Sequence, residues 1–559
     1  MATRDLPKSF GDFCFGWVGR IRDEMTITKT QDELMKLDKK AKLHSDTTSD
    51  EYTKYEDEDD EDYIETKVKV RNLWPAFASG AGLFSDGYVN NGISTVLSAL
   101  KRIYGDEFTK SNAINNIGSI AFVGTVVGQL SFGYISDRIE RKGGMMAANI
   151  MLIVFTLLCA VGSWGVTVQG FFACLTVWRF FLGVAIGSEY PTSSVIASEF
   201  ANQLPSGHRN RYFSWATNTM IDFGFVVSSF VPLVLLWIFS ERHLRAVWRL
   251  SIGLGVVPPL ILFFIRLKMT NSQSFQKLHM KRVNYKDYPW WLIVKFYWFR
   301  LTIVSLIWFI YDFSVYSFGT FNTIIIGEVL PNGKLWQQWG WSVVFNLFYM
   351  PGTILGAVVN DYLGPRFTLA LGVGIQGIIG LAMSACLNSL RRHIAGFVVV
   401  FGIFSTFGEF GPGNNTGLLA AKTSATPIRG QYYGIAAATG KIGAFVGTWV
   451  FPAIQKHYAY SDELALKVPF YLSSALCLFS ALLTLFFVPP VGQDAVDNED
   501  KLFLQYLTEN GFDIRKLGDV TEQNLQQTGD ALPDIVDENF DSDDVTKKEG
   551  NVNIQTKNV

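Results

Sequence analysis

The sequence predicts an all-α membrane protein in which twelve transmembrane helices form two six-helix, pseudo-symmetric halves. Three observations carry this expectation. Of 559 residues, 49% are hydrophobic and only 18% charged, with a mean hydropathy of +0.20, whereas an average soluble protein is about 25% charged. Twelve apolar runs follow one another, each long enough for the roughly 20 residues that cross a bilayer as a helix. A junction pattern also recurs, as "GYISDRIERK" after the second run and "GAVVNDYLGPR" after the eighth, which puts Asp137 and Asp361 at equivalent places in two repeats.

Taken in order, residues 1–72 are polar and include "SDEYTKYEDEDDEDYIE", an acidic run that cannot bury enough apolar surface to fold alone and reads as a disordered tail. The N-terminus lacks the basic-then-apolar order of a signal peptide, so the first span is expected to direct insertion itself. The N-terminal half, 73–267, holds spans near 74–100, 113–136, 143–165, 169–190, 210–240 and 246–267. A connection at 268–298 carries Lys268, Lys277, Lys281, Arg282 and Lys286. Its end, "PWWLIVKFYWFR", mixes Trp290, Trp291 and Trp298 with Lys295 and Arg300, which predicts a helix lying in the headgroup zone. The C-terminal half, 299–490, holds spans near 299–326, 337–360, 366–388, 393–416, 430–453 and 466–489. Residues 491–559 are again acidic, with one short amphipathic stretch, "KLFLQYLTENGFD". Basic residues crowd the connections after even-numbered spans (Arg138, Arg141, Lys142, Arg209, Arg211). Despite Lys101, Arg102, Arg391 and Arg392 on the other side, this bias predicts that both tails are cytosolic.

Composition excludes several functions. The formal net charge is −2, so there is no basic surplus for nucleic acid. Cys14, Cys159, Cys174, Cys386 and Cys477 stand singly, without a disulfide framework or a CxxC box. Six histidines, with no HExxH, no nucleophile elbow and no GxxxxGK[ST] loop, argue against an enzyme and against ATP as the energy source. No metal or other cofactor is implied.

The informative residues are the charges that interrupt apolar spans: Asp86, Arg179, Glu189, Asp222, Asp312, Glu409 and Lys441. A charge at the bilayer centre costs roughly 2.5–3.5 kcal/mol on insertion scales, so such groups face the bundle interior and mark substrate or proton paths. In "WFIYDFSVYSF", Trp308, Asp312 and Tyr316 fall at i, i+4 and i+8 and share one helix stripe. Lys441 follows "GIAAATG", whose small residues leave its ammonium room to reach the centre. A lysine there needs an anion, supplied by a carboxylate when the site is empty and by an anionic substrate when it is full. A carboxylate released from that lysine can take a proton, so proton and anion would travel together, with Asp312 as acceptor. Simpler readings stand beside these. Arg179 with Glu189 or Asp86 would make a structural ion pair, Glu189 would face only the mouth, and Asp222 and Glu409 would be half-exposed or bonded to neighbouring helices.

The G-x-x-x-D-R-x-x-R-K pattern between spans two and three resembles the cytoplasmic signature of the major facilitator superfamily. The resemblance implies that Asp137, Arg138 and Arg141, with Asp361 in the second half, hold the halves together in one state without touching substrate. "GSEYPTSSVIASEF", the Trp308 stripe, "FGPG" and "TGKIGA" look like the phosphate:proton symporter branch. "GSEYPTS", "GPGN", "TSATPIRGQYYG", "TGKIG" and "FLQYLTENGF" are most similar to the fungal glycerophosphodiester permeases, a likeness that covers essentially all twelve spans. It implies a monomeric plasma-membrane carrier that takes up glycerophosphoinositol or glycerophosphocholine with protons by alternating access.

Carried over by position, Asp86, Tyr190, Trp308, Asp312, Tyr316 and Lys441 would surround the phosphate. Asn414 and Asp222 join the expected substrate contacts, and Asp86, Asp312 and Glu189 are the expected proton-coupling carboxylates. Departures from the phosphate symporters matter. Ser188-Glu189-Tyr190-Pro191 replaces Gly-Asp-Tyr-Pro, Ile221 replaces a glutamine beside Asp222, Pro412-Gly413-Asn414 replaces Gly-Pro-Asn, and Ala420-Ala421-Lys422 replaces Pro-Gly-Glu. These changes argue for a larger diester over inorganic phosphate. Its single charge would meet Lys441, with Lys422 either a second contact or an ordinary cytosol-facing lysine. For the headgroup, Asn218, Thr219, Asn414 and Asn415 suit inositol. Trp308, Tyr311, Tyr316, Asp222 and Glu409 suit choline. An inorganic phosphate:proton symporter and a non-transporting nutrient sensor of the same fold remain the alternatives.

Overall fold

Among the described residues, twelve long helices follow the apolar runs, and the first of them is interrupted by buried polar residues. The computed structural model describes Gly11 and residues 70–517, without Pro205, Ser206, Asp494 and most of 270–286. Nearly all of the tail expected at 1–72, the chain from 518 onward, and Lys277, Lys281, Arg282 and Lys286 lie outside the described residues. Helix α1 runs as Val70–Gly80, a 3₁₀ turn Ala81–Leu83, and Phe84–Tyr104. It is followed by α2 (Ala113–Arg138), α3 (Arg141–Val161), α4 (Val168–Asn202), α5 (Arg209–Phe239) and α6 (Glu241–Leu267). The second half comprises α7 (Trp290–Val329), α8 (Leu335–Leu363), α9 (Pro365–Ala385), α10 (Ile394–Lys422), α11 (Thr426–His457) and α12 (Glu463–Phe487). Helix α13, Ala495–Glu509, follows. Of the twelve, α2 to α12 are long and apolar enough to cross a membrane. Helix α1 is too polar because Asp86, Asn90, Asn91, Ser94 and Thr95 interrupt it, and all five are buried against other helices.

The halves repeat one another. Helix α1 packs on α5 as α7 packs on α11, α2 on α4 as α8 on α10, and α3 on α6 as α9 on α12. Between halves, α2 meets α11 and α5 meets α8. Each half also carries one widened turn with a proline, Tyr190–Ser194 in α4 and Glu409–Gly413 in α10. Pro191 and Pro412 have no N–H to give the helix ladder, and such widened turns are frequent at functional sites.

One expectation is corrected. The stretch 290–300 is not a separate helix lying in the headgroup zone; it is the first quarter of a single 40-residue α7. Pro289 sits at the N-cap, and nothing after it breaks the helix, so the run continues straight into the span. Trp291 and Trp298 remain exposed, as aromatic residues at an interface would be.

The halves touch at both ends. At the end bearing the α2–α3 turn, Asp137 accepts from the backbone N–H groups of Gly430 (2.8 Å) and Gln431 (2.7 Å) on α11. Its counterpart Asp361 accepts from Arg211 Nε of α5 at 2.9 Å. Arg141 donates to the Thr426 carbonyl at 2.8 Å and pairs with Glu199 at 2.8 Å, while Arg429 approaches the same Glu199 oxygen at 3.3 Å. Arg138 donates to the carbonyls of Met280 and Val283 in the connection, both at 2.9 Å. Helix α13 adds a strap here, through Glu499 to Arg300 (2.9 Å) and Asp497 to Asn202 (3.0 Å). At the other end Asn91 donates to Asn346 at 3.0 Å, and the Trp339 indole donates to Ser98 at 3.2 Å.

Candidate functional site

Between these two sets of contacts lies a cavity with about 510 Å³ of empty space, walled by both halves. Its lining has two chemically different ends. Neighbouring residues of α7 serve them, since positions i and i+1 on a helix point about 100° apart. Asp312 turns to one end and Tyr311 to the other.

At the first end, Lys441 Nζ lies 3.2 Å from Asp312 Oδ2. The two buried groups form an ion pair within the cavity. The ammonium also sits 3.6 Å above the Tyr316 ring and 5.1 Å from the Tyr190 ring, within the range where an aromatic face attracts a cation. Behind the rings is Asp86. It accepts from the Tyr190 hydroxyl, from the Asn90 amide and, at 3.1 Å, from the Tyr316 hydroxyl. Trp308 completes this wall, edge-on to Tyr433 at 5.5 Å between ring centroids. Lys441 reaches the cavity because the glycines on either side of it, Gly440 and Gly443, bring α11 close to Trp308 and Phe309 of α7. A Cβ on Gly443 would overlap the Phe309 carbonyl.

At the second end, the Asn218 amide stands 3.1 Å from Glu409 Oε2, 3.5 Å from Asp222 Oδ2 and 3.4 Å from Asn414 Oδ1. Tyr311 donates to Glu409 Oε1 at 2.7 Å. Thr353 donates to Asn414 Oδ1 at 3.2 Å, and Asn414 donates back to the Thr353 carbonyl at 2.9 Å. Asp222 and Glu409 are both buried, neither of them half-exposed.

The structure thus brings Lys441, Tyr190, Trp308, Asp312, Tyr316, Asn414 and Asp222 to one cavity, with Asp86 directly behind it. It does not bring Glu189 there. Glu189 makes a two-pronged pair with Arg266 of α6, at 2.8 and 3.0 Å, and the partner offered by the sequence reading, Arg179, instead donates to the Ile117 carbonyl at 2.7 Å. Lys422 is also away from the cavity; it is buried and donates to the Gln493 carbonyl at 3.1 Å. Asp137, Arg138, Arg141 and Asp361 lie in the end contacts described above. Sequence reasoning missed Arg266, Glu199, Arg429 and Thr353. Glu199 and Arg429 were visible as charges in "VIASEF" and "TPIRGQ", but both sit where a span ends and read there as solvated residues.

Comparison with known proteins agrees with this architecture. Residues 72–287 and 290–496 match the family described as "Sugar (and other) transporter". The chain is 75% identical over 559 residues to the glycerophosphocholine permease GIT4 of Candida albicans, covering 100% of both chains. It is 75% identical over 521 residues to the major glycerophosphoinositol permease GIT3 of the same organism, covering 93% of this chain and 95% of that one. Among solved structures, the major facilitator superfamily proton:xylose symporter XylE superposes with a TM-score of 0.64 at 15% identity, covering 77% of this chain and 98% of that one. The chain therefore belongs to the sugar (and other) transporter family, with the major facilitator fold, and is a multi-pass membrane transporter.

Proposed function

We propose that this protein carries glycerophosphodiesters, glycerophosphocholine and glycerophosphoinositol among them, across the plasma membrane into the cell together with protons. The observation that supports this most is the Lys441–Asp312 contact inside a cavity shared by both halves. A phosphodiester carries one negative charge. Entering from outside, it takes the place of Asp312 beside Lys441, and the aromatic faces of Tyr190 and Tyr316 keep the ammonium in position. Asp312, having lost its cation in a dry site, binds a proton. With glycerophosphoinositol, a net anion, one negative charge and one proton enter the cavity together, so its net charge does not change and the closed cavity can cross between its two orientations. Asp86, held by two tyrosine hydroxyls and an asparagine, is the second carboxylate on this proton path.

Alternating access follows from the two sets of end contacts. The halves 73–267 and 299–490 rock about the cavity, the connection and both tails face the cytosol, and the Asp137, Arg141 and Asp361 contacts close the cytosolic side while substrate enters. One chain contains the whole cavity, so a monomer suffices. The test is uptake of labelled glycerophosphoinositol and glycerophosphocholine into cells that lack their own permeases. Accumulation abolished by a protonophore and indifferent to excess inorganic phosphate is expected. Uptake that persists without a proton gradient would remove the coupling, and competition by phosphate would make this a phosphate carrier.

A further inference from the structure

The second end of the cavity holds two buried carboxyl groups and no basic side chain paired with either among the described residues. Asp222 and Glu409 come from opposite halves and meet at one amide, Asn218. Neither has an ion-pair partner among the described residues, and Asp222 Oδ1, fully buried, finds no donor. Tyr311, Asn218 and the Thr353 hydroxyl are the donors at this end, against four carboxylate oxygens and the Asn414 amide carbonyl. Two facing carboxylates without a basic neighbour repel unless a proton or a cation lies between them. The cavity lining also includes the aromatic rings of Phe213, Phe225 and Tyr311. Acidic groups within an aromatic wall suit a quaternary ammonium, whose methyl groups lie against ring faces while the charge is met at longer range.

Resting on the reading of the cavity as a glycerophosphodiester site, we propose that Asp222 and Glu409 form a headgroup subsite that recognises the positive charge of a choline ester, opposite the phosphate held at Lys441. The arrangement is dipolar, as the substrate is: a cation of the protein faces the anion of the ligand, and an acidic pair faces its cation. Tyr311 and Asp312, adjacent on α7, set the two poles at neighbouring levels of one helix. Inositol uses the same end differently, through hydrogen bonds to Asn218, Asn414 and the carboxylate oxygens. The pair is therefore what separates the two esters.

The test requires no variant at first. In cells expressing the wild-type chain, labelled glycerophosphoinositol uptake is competed with glycerophosphocholine and with its neutral carbon isostere, the 3,3-dimethylbutyl ester, which has the same shape and no ammonium. The choline ester should compete at a concentration at least tenfold lower. Equal competition overturns the proposal. Glu409→Gln and Asp222→Asn should then raise the half-saturation concentration for the choline ester at least tenfold more than that for the inositol ester. Parallel changes in both also overturn it, with surface expression measured alongside. Uptake of neither ester by the wild type defeats the glycerophosphodiester reading itself, and this inference with it; uptake of both with no charge discrimination defeats the inference alone.

Discussion

Lys441 Nζ rests 3.2 Å from Asp312 Oδ2 and 3.6 Å above the ring of Tyr316, and all three side chains are buried. Breaking a buried pair by removing one member costs about 3–5 kcal/mol because the other is left uncompensated. The two single variants should nevertheless differ. Lys441→Ala removes the cation that the phosphate needs, so uptake should fall about 100-fold or more, the equivalent of about 3 kcal/mol. Asp312→Asn leaves the ammonium free to bind an anion, so substrate still binds while proton-driven accumulation disappears. The double variant should recover the melting temperature lost by either single variant without recovering uptake. Binding isotherms and protonophore-sensitive accumulation, measured side by side, check this; identical phenotypes for the two single variants would contradict it.

Glu199 is the centre of the contact that closes one end of the cavity. Its Oε1 faces Arg141 at 2.8 Å and Arg429 at 3.3 Å, one from each half, and all three are buried. In Glu199→Gln two guanidinium groups lose their shared anion, a change of about 3–5 kcal/mol against the closed arrangement. The end should open. A cysteine placed at Thr416 in the cavity wall should be labelled by maleimide from the cytosolic face at least tenfold faster in this background. Uptake should drop, since the state that accepts external substrate needs this end closed. An unchanged labelling rate would mean that the contact does not latch the halves.

The sequence revealed the parts of this site that a bilayer forces into view. A carboxylate in "WFIYDFSVYSF" and a lysine after "GIAAATG" are conspicuous because charge inside a span is costly, and the same cost implies that each answers the other. Partners at span ends are not conspicuous. Arg266, in "FFIRLK", reads as an interfacial anchor although it is fully buried against Glu189. Glu199 and Arg429 are hidden for the same reason, because polar residues are ordinary where a helix leaves the membrane. The unbroken α7 was missed because tryptophans mixed with basic residues mark an interface without saying whether the helix pauses there. The two-ended cavity was only half legible: Asp222 and Glu409 were visible as acids, but their meeting at Asn218 depends on the closing of one half against the other.

Two glycines on α11 should respond differently to alanine. A Cβ at Gly440 would come within 2.6 Å of Trp308 Cδ1, the edge of a side chain that can swing, whereas a Cβ at Gly443 would strike the Phe309 carbonyl and lie 3.0 Å from its Cα. Backbone cannot yield without parting α7 from α11. Gly443→Ala should therefore destabilise the fold by about 1–3 kcal/mol, seen as a lower melting temperature and less surface protein. Gly440→Ala should fold, but its displaced indole should raise the half-saturation concentration severalfold. Equal thermal stability for both variants would argue against this close approach of the two helices.

Helix α13 brings a titrating group to the closed end. Asp500 accepts from the Thr426 backbone N–H at 2.5 Å and the Thr426 hydroxyl at 2.6 Å, and it lies 3.8 Å from Arg429. Burial pushes its carboxyl up to about 6, against the opposing pull of Arg429 and Thr426. A carboxyl raised above its ordinary value binds its proton more tightly when docked than when released. The stability it contributes is therefore fully present below the ordinary pKa of about 3.9 and is lost as pH rises through about 6. Asp500→Asn cannot titrate, so the melting temperature of the variant minus that of the wild type should increase as pH rises from about 4 to about 6, most steeply between those values, and level off above about 6. Other titrating groups contribute equally to both proteins and cancel in that difference. A difference that stays flat across the window, or that falls with rising pH, would show that Asp500 is not held buried in the closed end.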